Sequence, residues 1–161
     1  MVDLYIVRHA IAFERDAARW PDDRARPLTP DGVRKFRKAA RGLRQVAGAV
    51  PRVLVSPLVR AKQTAELLTL EAGWPAAQEE AAIVARCARR RDSAALAVVG
   101  HEPQLSALLA LCLDAGGSER ASDAFVLKKG GAACLSWDGA PRAGKARLVW
   151  LLTPKLLRAL R

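Results

Sequence analysis

The sequence predicts a three-layer α/β/α sandwich on a mostly parallel sheet with an antiparallel edge. Short apolar runs of strand length alternate with helical patterns, the alternation expected of βα units. Three of these runs, ending at Val7, Val55 and Val99, hand over to turns that carry arginine or histidine. The later part of the chain instead holds two apolar runs around Asp138-Gly139, which reads as an antiparallel hairpin. At 161 residues the chain reads as one domain, 1–161, large enough to bury a core without disulfide staples. No internal repeat or linker divides it.

Taken in order, Val2 to Val7 is a buried strand, too short for an ordinary helix, and it ends in Arg8 and His9. Residues 13–26 are polar and turn-rich, with Trp20-Pro21-Asp22-Asp23 as a loop beside the mouth of the sheet. Arg15, Arg24 and above all Arg26 are candidates for its rim. Thr29 then caps a helix, with Pro30 at its first position and Asp31 at its positive end. Its buried stripe is Val33, Phe36, Ala40, Leu43 and Ala47. Arg52 to Val55 is the second strand. Ser56-Pro57 reads as the N-cap and first turn of a helix over Leu58 to Leu70, which closes at Glu71-Ala72-Gly73-Trp74-Pro75.

Gln78 to Ser93 is rich in alanine and arginine, part loop and part helix. Ala95 to Val99 is the third strand, followed by Gly100-His101-Glu102-Pro103 and a helix from Gln104 to Leu113 with Leu105, Leu108, Leu109 and Cys112 facing the core. Ala115 to Ser118 breaks that helix. Ala124 to Leu127, Ala132 to Trp137 and Ala146 to Leu152 read as strands, and Thr153-Pro154 caps a short helix through Leu160.

In an open α/β sheet, ligands sit at the carboxyl ends of the strands. If the three strands are parallel neighbours, Arg8, His9, Arg60 and His101 converge at that edge, beside helix N-termini whose free N–H groups favour anions. Both histidines of the chain lie at such junctions. The set describes a pocket for a phosphoryl group with a histidine available as nucleophile.

The chain carries a formal net charge of +11. Arg34, Lys35, Arg37, Lys38, Arg41 and Arg44 lie on the side of the first helix away from its apolar stripe, which a solvated face explains. No aromatic residues interleave with them as on a nucleic-acid stacking platform, so no nucleic acid is expected. An acidic protein partner remains compatible. Cys87, Cys112 and Cys134 are scattered and without metal-ligand spacing, so they read as small packing residues. No signal peptide and no membrane-length apolar stretch is present, which points to the cytoplasm and away from a membrane.

Several of these segments resemble the histidine phosphatase superfamily. Val7-Arg8-His9-Ala10 is similar to its Arg-His-Gly signature, and Ser56-Pro57-Leu58-Val59-Arg60-Ala61-Lys62-Gln63-Thr64-Ala65 to its Ser-Pro-x-x-Arg-Ala-x-Gln-Thr-Ala segment. Gly100-His101-Glu102-Pro103 resembles the turn of the second histidine, and Leu28-Thr29-Pro30-Asp31-Gly32 the start of the first helix. The closest likeness is to small SixA-like phosphohistidine phosphatases, and it runs in order along nearly the whole chain. One departure is Ala10 in place of glycine, a methyl group that fits if the backbone dihedrals there are ordinary.

The resemblance implies a phosphoglycerate mutase-like fold and a phosphatase needing no cofactor or metal. His9 would attack phosphorus and form a phosphohistidine, its other ring nitrogen donating to a backbone carbonyl. Arg8 and Arg60 would hold the phosphoryl oxygens, and His101, protonated by the phosphate, would donate to one of them. Arg26 and Ser56 are further candidates to touch the substrate. Larger members place a general acid and a lid between the second arginine and the second histidine. Here that segment is short, Ala82 or Ala85 falls where the acid is expected, and Glu14, Glu79 and Glu80 are the remaining carboxylates to consider.

An alkyl ester needs a proton donor at its leaving oxygen, whereas phosphohistidine leaves as imidazole. The reading is therefore a phosphatase acting on phosphohistidine of a protein. The alternatives are a phosphatase of small phosphate esters or nucleotides on the same fold, and a basic, non-catalytic module that binds phosphate or nucleic acid.

Overall fold

The computed structural model describes residues 1–90, 94–113 and 125–160. Among these, strands β1 (Val2–Arg8), β2 (Val53–Val55), β3 (Gln78–Glu79), β4 (Leu96–Gly100), β5 (Ala132–Trp137) and β6 (Arg147–Leu152) form one sheet in the order β3-β2-β4-β1-β5-β6. β3, β2, β4 and β1 are parallel. β5 runs antiparallel to both β1 and β6, so the reversed strand lies one place in from the edge.

Five helices cover the sheet: α1 (Pro30–Val46), α2 (Val59–Ala72), α3 (Ile83–Ala88), α4 (Gln104–Leu113) and α5 (Pro154–Ala159), counted among the described residues. The period-2 alternation of β1 divides the core into two layers. Tyr5 and Val7 pack with Phe36, Leu43, Leu68 and Leu157 of α1, α2 and α5. Leu4 and Ile6 pack with Ile83, Leu105, Leu108 and Leu109 of α3 and α4. All three cysteines are buried and free, Cys87 on α3, Cys112 on α4 and Cys134 on β5.

The elements begin and end where side-chain chemistry tells them to. Thr29 Oγ1 accepts from the Gly32 N–H at 2.9 Å, with Pro30 opening α1. A Cβ at Gly32 would lie 2.1 Å from the Ile11 carbonyl oxygen, so only glycine lets α1 lie this close to the chain leaving β1. α2 stops at Gly73, whose φ of 73° is a left-handed cap. Thr153 Oγ1 caps α5 through the Leu156 N–H.

Three expectations are corrected. Ser56 does not cap α2: the N-cap position is Leu58, with no side-chain bond, and the Ser56 N–H instead extends the β2–β4 ladder to the Val99 carbonyl at 3.0 Å. Gln78 to Glu79 is a short parallel edge strand on β2, where loop and helix were expected. The 124–127 run is not a strand within its described part, 125–127; the Leu127 carbonyl is taken up by Arg8 rather than by a ladder. Ala124 and the helix break at 115–118 lie outside the described residues. β5 and β6 form the expected antiparallel pair, joined by a loop over residues 138–146.

Candidate active site

Register alone brings the sequence candidates together. Arg8 pairs with Gly100, and both Val7 and Val55 are level with Val99, so β1, β4 and β2 end side by side. The His9 N–H donates to the Gly100 carbonyl at 2.9 Å, prolonging the parallel ladder to the point where His101 follows. From the other side the Gly130 N–H reaches the carbonyls of Arg8 and His9, at 3.1 and 2.9 Å. The Arg8-His9 turn is thus held on both flanks by backbone.

His9 is only 5% exposed, and its Nδ1 lies 2.7 Å from the Ala10 carbonyl oxygen. A carbonyl can only accept, so Nδ1 carries the proton and the lone pair belongs to Nε2. Burial pushes the imidazole pKa down to about 4; the Ala10 carbonyl opposes this, and the charges of Arg60, Arg8 and Lys129 add to it. At neutral pH the ring is uncharged among cations, with the Nε2 lone pair free.

Alternation along β1 turns Arg8 toward the α4 face, and its Nη1 donates to the Leu127 carbonyl at 2.8 Å. Arg60, in the first turn of α2 and 5% exposed, donates from Nη1 to the Asp23 carbonyl at 2.8 Å and from Nη2 to Asp23 Oδ2 at 3.1 Å. The Nε of each arginine and Nδ1 of His101 are buried and without a partner among the described residues. Burial lowers the His101 pKa, helped by Arg60 and opposed by Glu102.

The segment around Arg60 has a further use for its polar residues. Thr64 Oγ1 donates to the Arg60 carbonyl at 2.7 Å and accepts from the Ala10 N–H at 3.0 Å. Gln63 Oε1 accepts from the Leu28 N–H at 2.8 Å. These two side chains join α2 to the loop after His9 and to the approach of α1. Ala10 is 1% exposed, and no described non-glycine residue has positive φ, so its methyl group sits on ordinary backbone.

Arg26 is not an open rim residue. Its Nε donates to Asp23 Oδ1 at 2.8 Å and its Nη1 to the Phe13 carbonyl at 2.5 Å, which ties it to the same Asp23 that meets Arg60. Ser56 is buried where β2 ends, at 3% exposure. Arg15 and Arg24 are exposed, as is Glu14. Glu79 is paired with Lys62 Nζ at 2.5 Å, and Glu80 Oε1 accepts from the Ala82 N–H at 2.9 Å ahead of α3. Neither carboxylate is bonded to the histidines or arginines of the site. A cavity of about 520 Å³ also lies elsewhere, between α2 and the β2–β3 edge.

Sequence reasoning passed over Asp23, Lys129 and Thr64. Asp23 had a signal: an acidic pair, Asp22-Asp23, in a segment otherwise rich in arginine. Asp22 Oδ1 caps the short 3-10 turn Asp23–Ala25 through the Arg24 N–H, which leaves Asp23 free to meet Arg60 and Arg26.

With the geometry in view, comparison with known proteins is direct. Residues 4–83 match the family model of the histidine phosphatase superfamily (branch 1). An uncharacterized protein of Picosynechococcus sp. is 33% identical over 115 residues, 65% of this chain and 68% of its own. The structure of the protein histidine phosphatase SixA complexed with tungstate aligns with a TM-score of 0.74 at 25% identity, over 97% of this chain and 99% of that one. A candidate phosphohistidine phosphatase SixA from Nakamurella multipartitia aligns with a TM-score of 0.74 at 27% identity, over 95% and 96% of the two chains. A candidate alpha-ribazole-5'-P phosphatase from Escherichia coli shares the fold at 17% identity and a TM-score of 0.68, over 95% and 97%.

Proposed function

The chain belongs to the histidine phosphatase superfamily, and on that premise we propose that it is a phosphatase that removes phosphate from phosphohistidine on a protein. The observation that carries the reading is His9: an imidazole with Nδ1 fixed on the Ala10 carbonyl at 2.7 Å and its pKa held at about 4, beside two arginines. Phosphoryl transfer asks a protein mainly for position and positive charge. The Nε2 lone pair forms the new N–P bond, and the bond to the leaving atom breaks with its electron pair going to the leaving group. Arg8, Arg60 and, once the anion has protonated it, His101 take the charge on the oxygens. Water then attacks phosphorus and returns His9 to its neutral form.

The substrate class rests on what surrounds this set. Glu79 and Glu80 are engaged with Lys62 and the Ala82 N–H, so neither is poised to protonate an alkoxide. Imidazole needs no such help when its other nitrogen is protonated. On the basic face of α1, Arg34 and Lys35 pair with Asp31 of the same helix, and Arg37 and Arg41 pair with Glu71 of α2. The net charge of +11 still favours encounter with an acidic protein. A cytoplasmic setting accompanies this reading, and among the described residues no helix is long and apolar enough to cross a membrane.

The test compares kcat/KM on a phosphohistidine protein, on phosphoramidate and on a panel of sugar phosphates, nucleotides and aryl esters. The phosphohistidine protein is expected to lead, with a rate that falls as salt rises. A higher kcat/KM on a sugar phosphate or nucleotide would move the function to small esters on the same fold.

A further inference from the structure

Beside Arg8 lies a cavity of about 310 Å³ lined by Arg8, Glu102, Pro103, Ser106, Phe125, Val126 and Leu127. That volume is at the lower end of ligand pockets. Its position follows from the strand: alternation sends Arg8 to the α4 face, where Glu102 and Ser106 stand at the start of α4. The far wall is the 125–127 segment, fastened at two points. The Leu127 carbonyl accepts from Arg8 Nη1 at 2.8 Å, and the Phe125 carbonyl accepts from Ser106 Oγ at 3.4 Å. The cavity therefore shares one wall with the phosphoryl site and has walls tied to that site's own residues.

The lining decides what fits. Phe125, Val126, Leu127 and Pro103 make it apolar, yet Val126 is 68% exposed, far more than a side chain of that type is in a closed core. One carboxylate, Glu102, stands against this apolar wall; its Oε2 accepts from the Ser106 N–H at 3.1 Å, and Oε1 has no partner among the described residues. A polyhydroxyl leaving group finds few donors here, and an anionic one meets the Glu102 charge. A flat, largely apolar ring that carries an N–H or a positive charge meets a complementary surface.

We infer that this cavity is the leaving-group subsite, built for the imidazole ring of phosphohistidine, with Glu102 favouring the ring's protonated form and Phe125 and Val126 packing on its face. The inference rests on the phosphohistidine reading above. It adds to that reading a carboxylate that favours the protonated ring, the form that needs no general acid. In the protonated ring the nitrogen away from phosphorus already bears a hydrogen. When the P–N bond breaks, its electron pair stays on the ring nitrogen, and the group departs as neutral imidazole with no further proton needed. A carboxylate beside the ring stabilises the cation that reacts this way.

The experiment uses the full chain and the variants Phe125→Ala and Val126→Ala, with three substrates: a phosphohistidine peptide, phosphoramidate and p-nitrophenyl phosphate. Val126 is exposed, so its variant folds even if Phe125→Ala does not. Both variants are expected to lose about ten- to a hundredfold in kcat/KM on the phosphohistidine peptide, the scale of apolar pocket contacts. Phosphoramidate, whose ammonia does not reach the cavity, is expected to stay within about twofold. Equal losses on both substrates, or no loss on either, would overturn the subsite. If the wild type shows no preference for phosphohistidine while the variants lose p-nitrophenyl phosphate selectively, the subsite stands for aromatic groups and the proposed function fails. If the wild type prefers phosphohistidine and the variants keep it, the function stands and the subsite fails.

Discussion

Asp23 holds Arg60 by two contacts at once, its carbonyl on Nη1 at 2.8 Å and its Oδ2 on Nη2 at 3.1 Å, while Oδ1 receives Arg26 Nε at 2.8 Å. One carboxylate therefore fixes the direction of a buried guanidinium 37 residues away and carries a negative charge at the edge of a cationic site. Its pKa is lowered, first by the hydrogen bond from Arg26 and then by the charges of Arg60 and Arg26.

This arrangement predicts opposite effects on turnover and on product binding. Asp23→Asn is expected to lower kcat/KM by about ten- to a hundredfold, because Arg60 loses a charged guide. Inhibition by inorganic phosphate should tighten, because a competing negative charge has left. Steady-state rates with a phosphate inhibition series check both. Weaker phosphate inhibition in the variant would contradict the role given to Asp23.

His9 is expected to carry the phosphoryl group between the two displacements. Quenching with labelled substrate should trap a phosphoenzyme stable in alkali and labile in acid, absent in His9→Ala. Arg60→Ala or His101→Ala should cost about two to four powers of ten in kcat with the fold retained. A His9→Ala protein with full turnover would end the proposal.

The two histidines can be followed by their ring proton resonances. His9 is expected to stay neutral through pH 5 to 8 and to titrate near 4, and His101 to titrate below its ordinary value. The sign for stability follows from linkage. Between pH 6.5 and about 4 the unfolded chain binds the proton at His9 and the folded one does not, so this contribution is complete above 6.5 and is lost as pH falls toward 4. Its size is on the order of 3 kcal/mol, one pKa unit being worth about 1.4 kcal/mol. Chemical denaturation at several pH values, compared with His9→Phe, reads it directly; a pH-independent difference would refute it.

Thr64→Val keeps the shape of a fully buried side chain and removes its hydroxyl. The Ala10 N–H then has no acceptor, which costs about 1–3 kcal/mol of stability. The loop holding His9 also loses its tie to Arg60. The expected result is a lower denaturation midpoint together with reduced kcat, whereas Thr64→Ser should recover much of both.

The meeting of Arg8, His9, Arg60 and His101 was readable from the chain because each follows an apolar run of strand length. Parallel strands with level ends place whatever follows them at one mouth. The Thr29 and Thr153 caps were legible for a related reason, since capping is decided within four residues. What local pattern could not carry was long-range pairing. Asp23 finds Arg60 only when the 13–26 loop folds back over α2. Ser56 looked like a cap because serine caps helices, but its N–H had a ladder partner on β4 that outweighed the local preference. The 125–127 run is apolar enough for a strand, yet it serves as a wall beside Arg8.

The order β2-β4-β1 puts the strand made fourth in the chain between two made earlier. During synthesis, residues 1–90 can lay down β1, α1, β2 and α2, yet β1 and β2 have no direct ladder to each other until β4 enters the gap between them. At that point His101 is still to come. The proposed anion-binding mouth therefore requires Leu96–Gly100 paired with both neighbours. Phosphate has no assembled site on the growing chain, and it stabilises only molecules that have completed that insertion.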